Sequence, residues 1–124
     1  MKMTNNEIYA FASALQEEFN LNSSLIIPVK VNFYLQKNIN MLLNLAREID
    51  SLRINLGVKY GELDMETQSY IISDDKRQLV QEELTSLGSL EQEVTLYTFK
   101  LKDIENLELT IKQMNLLMNM IEED

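Results

Sequence analysis

Between Pro28 and Gly57 the chain contains no residue that forces a helix to stop, and this uninterrupted stretch limits the possible folds more than any other feature. Pro28 can open a helix, because its missing N–H would be an unused donor in the first turn. After it, Leu35, Ile39, Leu42, Ala46, Ile49, Arg53, Leu56 and Tyr60 recur in alternating steps of four and three. That is an almost unbroken heptad seam, which Leu45 and Leu52 widen. A helix over 28–60 would be roughly 45–50 Å long at 1.5 Å per residue. One short helix cannot cover so long a stripe, so several elements must line it, or a second copy of the chain must. Burying even half of it would contribute on the order of 10 kcal/mol before entropy costs, at about 25 cal/mol per Å². Self-association is therefore expected, most simply as a two-fold dimer. Arg53 breaks the seam. Either its stem packs while the guanidinium reaches a carboxylate, or it sets register or holds a ligand; the first is the commoner arrangement.

The remaining elements are shorter. Thr4 and Glu7 form a T-x-x-E capping box, and Ile8, Phe11, Ala12, Leu15 and Phe19 follow at helical spacing, which predicts a helix over 4–20. Asn22-Ser23-Ser24 reads as a loop. Gly61, just after Lys59, looks like the stop of the long helix, and 62–68 is polar and turn-like. A β-favouring patch spans 69–73, and a helix over 74–87 starts at Asp74-Asp75 and stops at Gly88. A second β-favouring run covers 93–101, and Thr110-x-x-Gln113 caps a last helix over 111–122. The two β segments could pair with each other or with a neighbouring subunit. The expected fold is mainly α in a single domain over 1–124: one long amphipathic helix, three shorter ones, and room for a small two-stranded element. Few forced breaks, with three Gly and one Pro in 124 residues, favour long regular elements.

Composition excludes much chemistry. Cys and His are both absent, so disulfides, thiolate and imidazole metal sites, and the usual nucleophile–base pairs cannot form. Glu62, Asp64 and Glu66 alternate as metal ligands might, but the Gly and terminal Glu of a calcium loop are missing. Glu17-Glu18 and Glu82-Glu83 are sequence neighbours, about 100° apart on a helix, so neither pair shares a site. No phosphate-binding glycine loop occurs. Met114, Met118 and Met120 suit either ordinary core or an adaptable binding face. The sequence thus predicts no enzyme, no cofactor and no metal.

Net charge is −9, which opposes direct binding to nucleic acid. No apolar run approaches a membrane span and the N-terminus lacks a secretory h-region, so a soluble, cytoplasmic protein is expected. The acidity is uneven. Residues 30–59 carry Lys30, Lys37, Arg47, Arg53 and Lys59 against Glu48 and Asp50, a local +3, leaving −12 for the rest. Acidic elements packing around a basic helix would explain this, as would an anionic partner docking there. The expected partner-binding or oligomer seam is Lys37, Leu42, Arg47, Ile49, Arg53, Leu56 and Tyr60.

The order of short words along the chain adds a likeness. Ile27-Pro28-Val29-Lys30-Val31 opens the long helix, Lys59-Tyr60-Gly61-Glu62 ends it, and Glu82-Glu83-Leu84 falls late in the next helix. Glu91-Gln92-Glu93-Val94, Asp103-Ile104-Glu105-Asn106-Leu107 and Leu109-Thr110 then follow. Together, over 27–121, these resemble a domain of unknown function: a family of small uncharacterised proteins encoded by tailed phages and prophages of low-GC bacteria. The resemblance transfers no site residues. It implies an infected bacterial cytoplasm and a protein partner, host or phage. The expected role is a non-enzymatic interaction protein that binds and inhibits or sequesters a host factor such as a defence component. The alternative is a head or tail structural or assembly accessory.

Overall fold

The computed structural model describes residues 1–19 and 25–122. Its elements are β1 (Lys2–Thr4), α1 (Asn5–Glu18), α2 (Val29–Tyr60), β2 (Glu62–Asp64), β3 (Ser69–Ile71), α3 (Asp74–Ser89), β4 (Glu91–Glu93), β5 (Phe99–Lys100), α4 (Ile111–Leu117) and β6 (Ile121–Glu122), with 3₁₀ turns at Leu101–Asp103 and Met118–Met120. The fold is mainly α and organised on the 32-residue α2. The predicted loop at 22–24, the end of the first helix at 20, and Glu123 and Asp124 lie outside the described residues.

Local chemistry sets the helix starts. Thr4 Oγ1 accepts from the Glu7 N–H at 3.1 Å while Glu7 Oε1 accepts from the Thr4 N–H at 2.9 Å, so two orphan donors of α1 are satisfied reciprocally. Thr110 and Gln113 do the same for α4, at 3.1 and 3.0 Å. Pro28 precedes α2 and its carbonyl accepts the first bond, from the Asn32 N–H.

The core occupies the proximal half of α2. Leu35, Ile39, Leu42 and Ala46 are buried against Ile8, Ala12, Leu15 and Phe19 of α1. Val94, Phe99, Ile104, Leu117 and Met120 close the layer. Beyond Ala46 the covering thins. Ile49, Leu56 and Tyr60 are only half-buried, and Leu52 is 54% exposed. Here α3 packs back along α2, with Lys76 and Tyr60 lining one cleft and Leu87 and Arg53 lining another. Among the residues of α3, only Val80 and Gly88 are buried.

The strands form three separate pairs: β1 with β4 and β2 with β3, both antiparallel, and β5 with β6 in parallel. Neither predicted β segment pairs with the other. The patch at 69–73 narrows to β3, because Ser73 serves as the N-cap of α3, and its partner β2 comes from the stretch read as a polar turn.

The run at 93–101 is not one strand. Asn38, fully buried on α2, donates from Nδ2 to the Tyr97 carbonyl at 2.9 Å and accepts from the Tyr97 N–H at 2.8 Å. That clasp takes the backbone groups a strand would use, so Val94–Thr98 becomes a strap between β4 and β5. The last helix stops at Leu117 rather than 122. The chain tightens into a 3₁₀ turn there, with Met120 completely buried and Met118 57% exposed.

At both glycines read as stops, a Cβ would meet a close neighbour. Gly61 has ordinary extended backbone angles, and a Cβ there would lie 2.5 Å from the Gly57 carbonyl and 3.2 Å from Tyr70 Cβ. Gly88 does not end α3 but lies inside it, where a Cβ would meet the Asn6 amide at 2.6 Å. Asn5, also buried, ties the same corner. Its Nδ2 donates to the Leu87 carbonyl at 2.8 Å, and its Oδ1 accepts from Gln92 Nε2 at 2.7 Å.

Candidate functional site

The seven residues of the predicted seam do not form one surface. Leu42 is fully buried by the chain's own core and has nothing to offer a partner. Lys37 and Arg53 are sixteen positions apart in the sequence, which on one helix is about 24 Å in rise and about 160° in rotation. Arg47 projects in a third direction. The three basic seam positions, Lys37, Arg47 and Arg53, therefore point to three sides of α2 and do not share one face.

Each cation is held locally. Lys37 Nζ sits 4.9 Å from the Phe33 ring centroid and 5.3 Å from that of Tyr97, within cation–π range. Tyr97 in turn stacks on Tyr34 at 5.9 Å. Arg47 Nη1 donates to Asn44 Oδ1 at 2.8 Å. Arg53 Nη2 reaches Asp50 Oδ1 at 2.7 Å, one turn earlier on the same helix, and its guanidinium lies 5.9 Å from the Tyr9 ring. The seam-breaking charge is thus met by a carboxylate. Of these bases, Lys30 bonds outside its own helix, to Asp103 at 3.8 Å.

The distal seam residues gather where packing is incomplete. Ile49 and Arg53 line a cleft of about 340 Å³ between the start of α1 and the end of α3. Leu56 lines a shallower apolar groove of about 220 Å³ with Leu52, Leu87 and Leu90. Tyr60 lines a third cleft of about 290 Å³ beneath the β2–β3 hairpin, with Ile71 and Lys76. The hairpin itself is apolar and open to solvent. Leu63 and Tyr70 are cross-strand partners, 50% and 46% exposed, and Met65 in the turn is 78% exposed. Ile54 and Val58, on the last turns of α2, are 65% and 47% exposed.

The acidic turn is structural. Asp64 Oδ1 accepts from the Glu66 N–H at 3.0 Å, and Gln68 closes the turn at a φ of 56°. Among the described residues no three carboxylates converge as metal ligands would. Two carboxylates titrate below their ordinary values, and both sit at helix starts. Glu7 is lowered by the hydrogen bonds from the Thr4 backbone and then its side chain, and Asp75 by the Ser73 hydroxyl and then its own backbone N–H. No helix among the described residues is long and apolar enough to cross a membrane.

Sequence reasoning missed Asn38 and the hairpin surface. Asn38 falls beside the seam, between Leu35 and Leu42, and a lone amide amid buried positions was the available signal. The hairpin was hidden because β2, Glu-Leu-Asp, carries no β-favouring pattern. Compared with protein families, with curated proteins and with solved structures, the chain gives no match.

Proposed function

We propose that this is a non-enzymatic interaction protein that binds a protein partner through the distal end of α2 and the β2–β3 hairpin. The observation that supports the reading is the concentration of half-exposed large apolar side chains there: Ile54, Val58, Leu63, Met65, Tyr70 and Ile71. A two-stranded hairpin is marginal by itself in water, and clustered exposed apolar side chains mark contact sites. The resemblance to phage and prophage proteins supplies the setting, the cytoplasm of an infected bacterium. The expected partner is then a host factor, such as a defence component, which the chain inhibits or sequesters. Net charge of −9 favours a protein over nucleic acid as that partner.

The alternative, a head or tail accessory, drew on the expected oligomer and on β segments free to add to neighbours. Those segments pair within the chain, which leaves that reading with less support, although β2 and β3 each keep an open edge. Affinity capture of tagged protein from phage-infected cells, read by mass spectrometry beside the composition of purified particles, tests the proposal. Recovery of one host protein, with the chain absent from particles, is the expected result. Recovery of head or tail components alone would overturn it in favour of assembly.

A further inference from the structure

We infer that the groove between α2 and α3 is the contact surface for a second copy of this chain, which packs its own α2–α3 pair face to face as an antiparallel four-helix arrangement. The groove lies on a different side of α2 from Ile54 and Val58, and stands whether or not the hairpin binds a host factor.

Three observations lead there. First, the groove is apolar and uncovered. Leu52 and Leu90 are 54% and 57% exposed, and Leu56 and Leu87 form its floor. Leu79, 42% exposed, continues the α3 side, since 79, 83, 86 and 90 follow at steps of four, three and four. Two helices with an apolar seam between them and nothing above it are half of a bundle.

Second, the face has the right size. The 16 residues of α3 span about 24 Å, and two helices about 10 Å apart make a face about 20 Å wide. That footprint of roughly 500 Å² in plane corresponds, once corrugation is counted, to the about 600–800 Å² per partner of a standard interface.

Third, the two charges that flank Leu52 on α2 are self-complementary, while Glu83 of α3 lines the edge of the groove. Glu48 and Lys59 flank Leu52 on the same side of α2. Both are exposed, and neither has an ion-pair partner among the described residues. In an antiparallel α2–α2 contact centred between residues 52 and 55, Glu48 of one copy faces Lys59 of the other, twice, by the two-fold relation. Of the predicted seam, Leu56 reaches this contact. The seam's proximal half is consumed by the chain's own core, and the dimer face is rotated toward Leu52.

The test is a charge exchange across the two-fold, followed by sedimentation velocity from about 1 to 100 μM. Wild type should dimerise in this range. Glu48→Lys opposes two lysines in each contact, and Lys59→Glu opposes two glutamates, so each should weaken the dimer at least tenfold. Mixing the two variants should restore it, because the mixed pair alone places opposite charges at both contacts. Leu52→Glu should abolish it, and a urea melt of each variant checks that the monomer remains folded. A wild type that stays monomeric to 100 μM would overturn the inference. So would a dimer indifferent to all three substitutions, or singly weakened chains that fail to recover on mixing.

Discussion

Replacing Asn38 with alanine should cost about 2–4 kcal/mol of folding stability, although the residue touches no candidate contact surface. The side chain is fully buried, and both of its hydrogen bonds go to the backbone of Tyr97, at 2.9 and 2.8 Å. The two bonds together contribute about 2 kcal/mol net, and the N–H and carbonyl left without a partner raise the cost toward about 4 kcal/mol. With a urea m-value of about 1–1.5 kcal/mol per M for a chain of this size, the midpoint should fall by roughly 2 M with the slope unchanged. The assay is urea unfolding followed by far-ultraviolet circular dichroism. Near-ultraviolet tyrosine signals report the Tyr34–Tyr97 stack, whose centroids are 5.9 Å apart. Asn44→Ala is the control. It removes an acceptor for the exposed Arg47 and should stay within about 0.5 kcal/mol of wild type. A loss below about 1 kcal/mol for Asn38→Ala would mean that water replaces the clasp, and the account of why 93–101 is not one strand would fail.

Other consequences can be checked with the same melts. Gly57 has open space where a Cβ would go, so Gly57→Ala should stabilise by about 0.5–1 kcal/mol. Gly61→Ala, which drives a Cβ onto the Gly57 carbonyl, should destabilise by about 1–3 kcal/mol. Leu42→Ala should cost about 2–5 kcal/mol as a core truncation, whereas Arg53→Ala, removing an exposed intrahelical pair, should cost less than about 1. Glu7 and Asp75 have lowered folded pKa values. Their contribution is present above the ordinary carboxylate range and is lost as pH falls through the folded values. The melting temperature should therefore hold from pH 7 to 5 in this respect and drop below about 4, a drop that Glu7→Gln should diminish.

The parts of the fold governed by local rules were legible in the sequence. Capping boxes at Thr4 and Thr110 and the seam from Leu35 announce their helices, because cap geometry and apolar period act within a few residues. What depended on distant partners was not. The strap at Val94–Thr98 exists only because Asn38 reaches Tyr97, and β2 exists only because β3 folds back on it. Gly88 read as a stop because a late glycine usually is one, whereas here it lets Asn6 approach a continuing helix. The seam itself showed where apolar surface lies but not which chain covers it. Leu42 and Leu52 look alike in the sequence, yet one is fully buried and the other is 54% exposed. That difference reflects direction: ten residues on, Leu52 is turned about 80° from Leu42 around α2. The candidate contact residues shifted accordingly, from seven positions spread between Lys37 and Tyr60 to the distal end of α2 and the hairpin.

The central claim is that the proximal half of α2 builds the fold and the distal end makes contacts. Changing Val58→Lys and Met65→Glu together tests it directly, since both side chains are exposed, at 47% and 78%, and lie at that end. The doubly changed protein should keep the wild-type urea midpoint to within about 1 kcal/mol of stability and lose capture of the host protein from infected cells. Undiminished capture by a folded double variant would place the contact elsewhere and contradict the account.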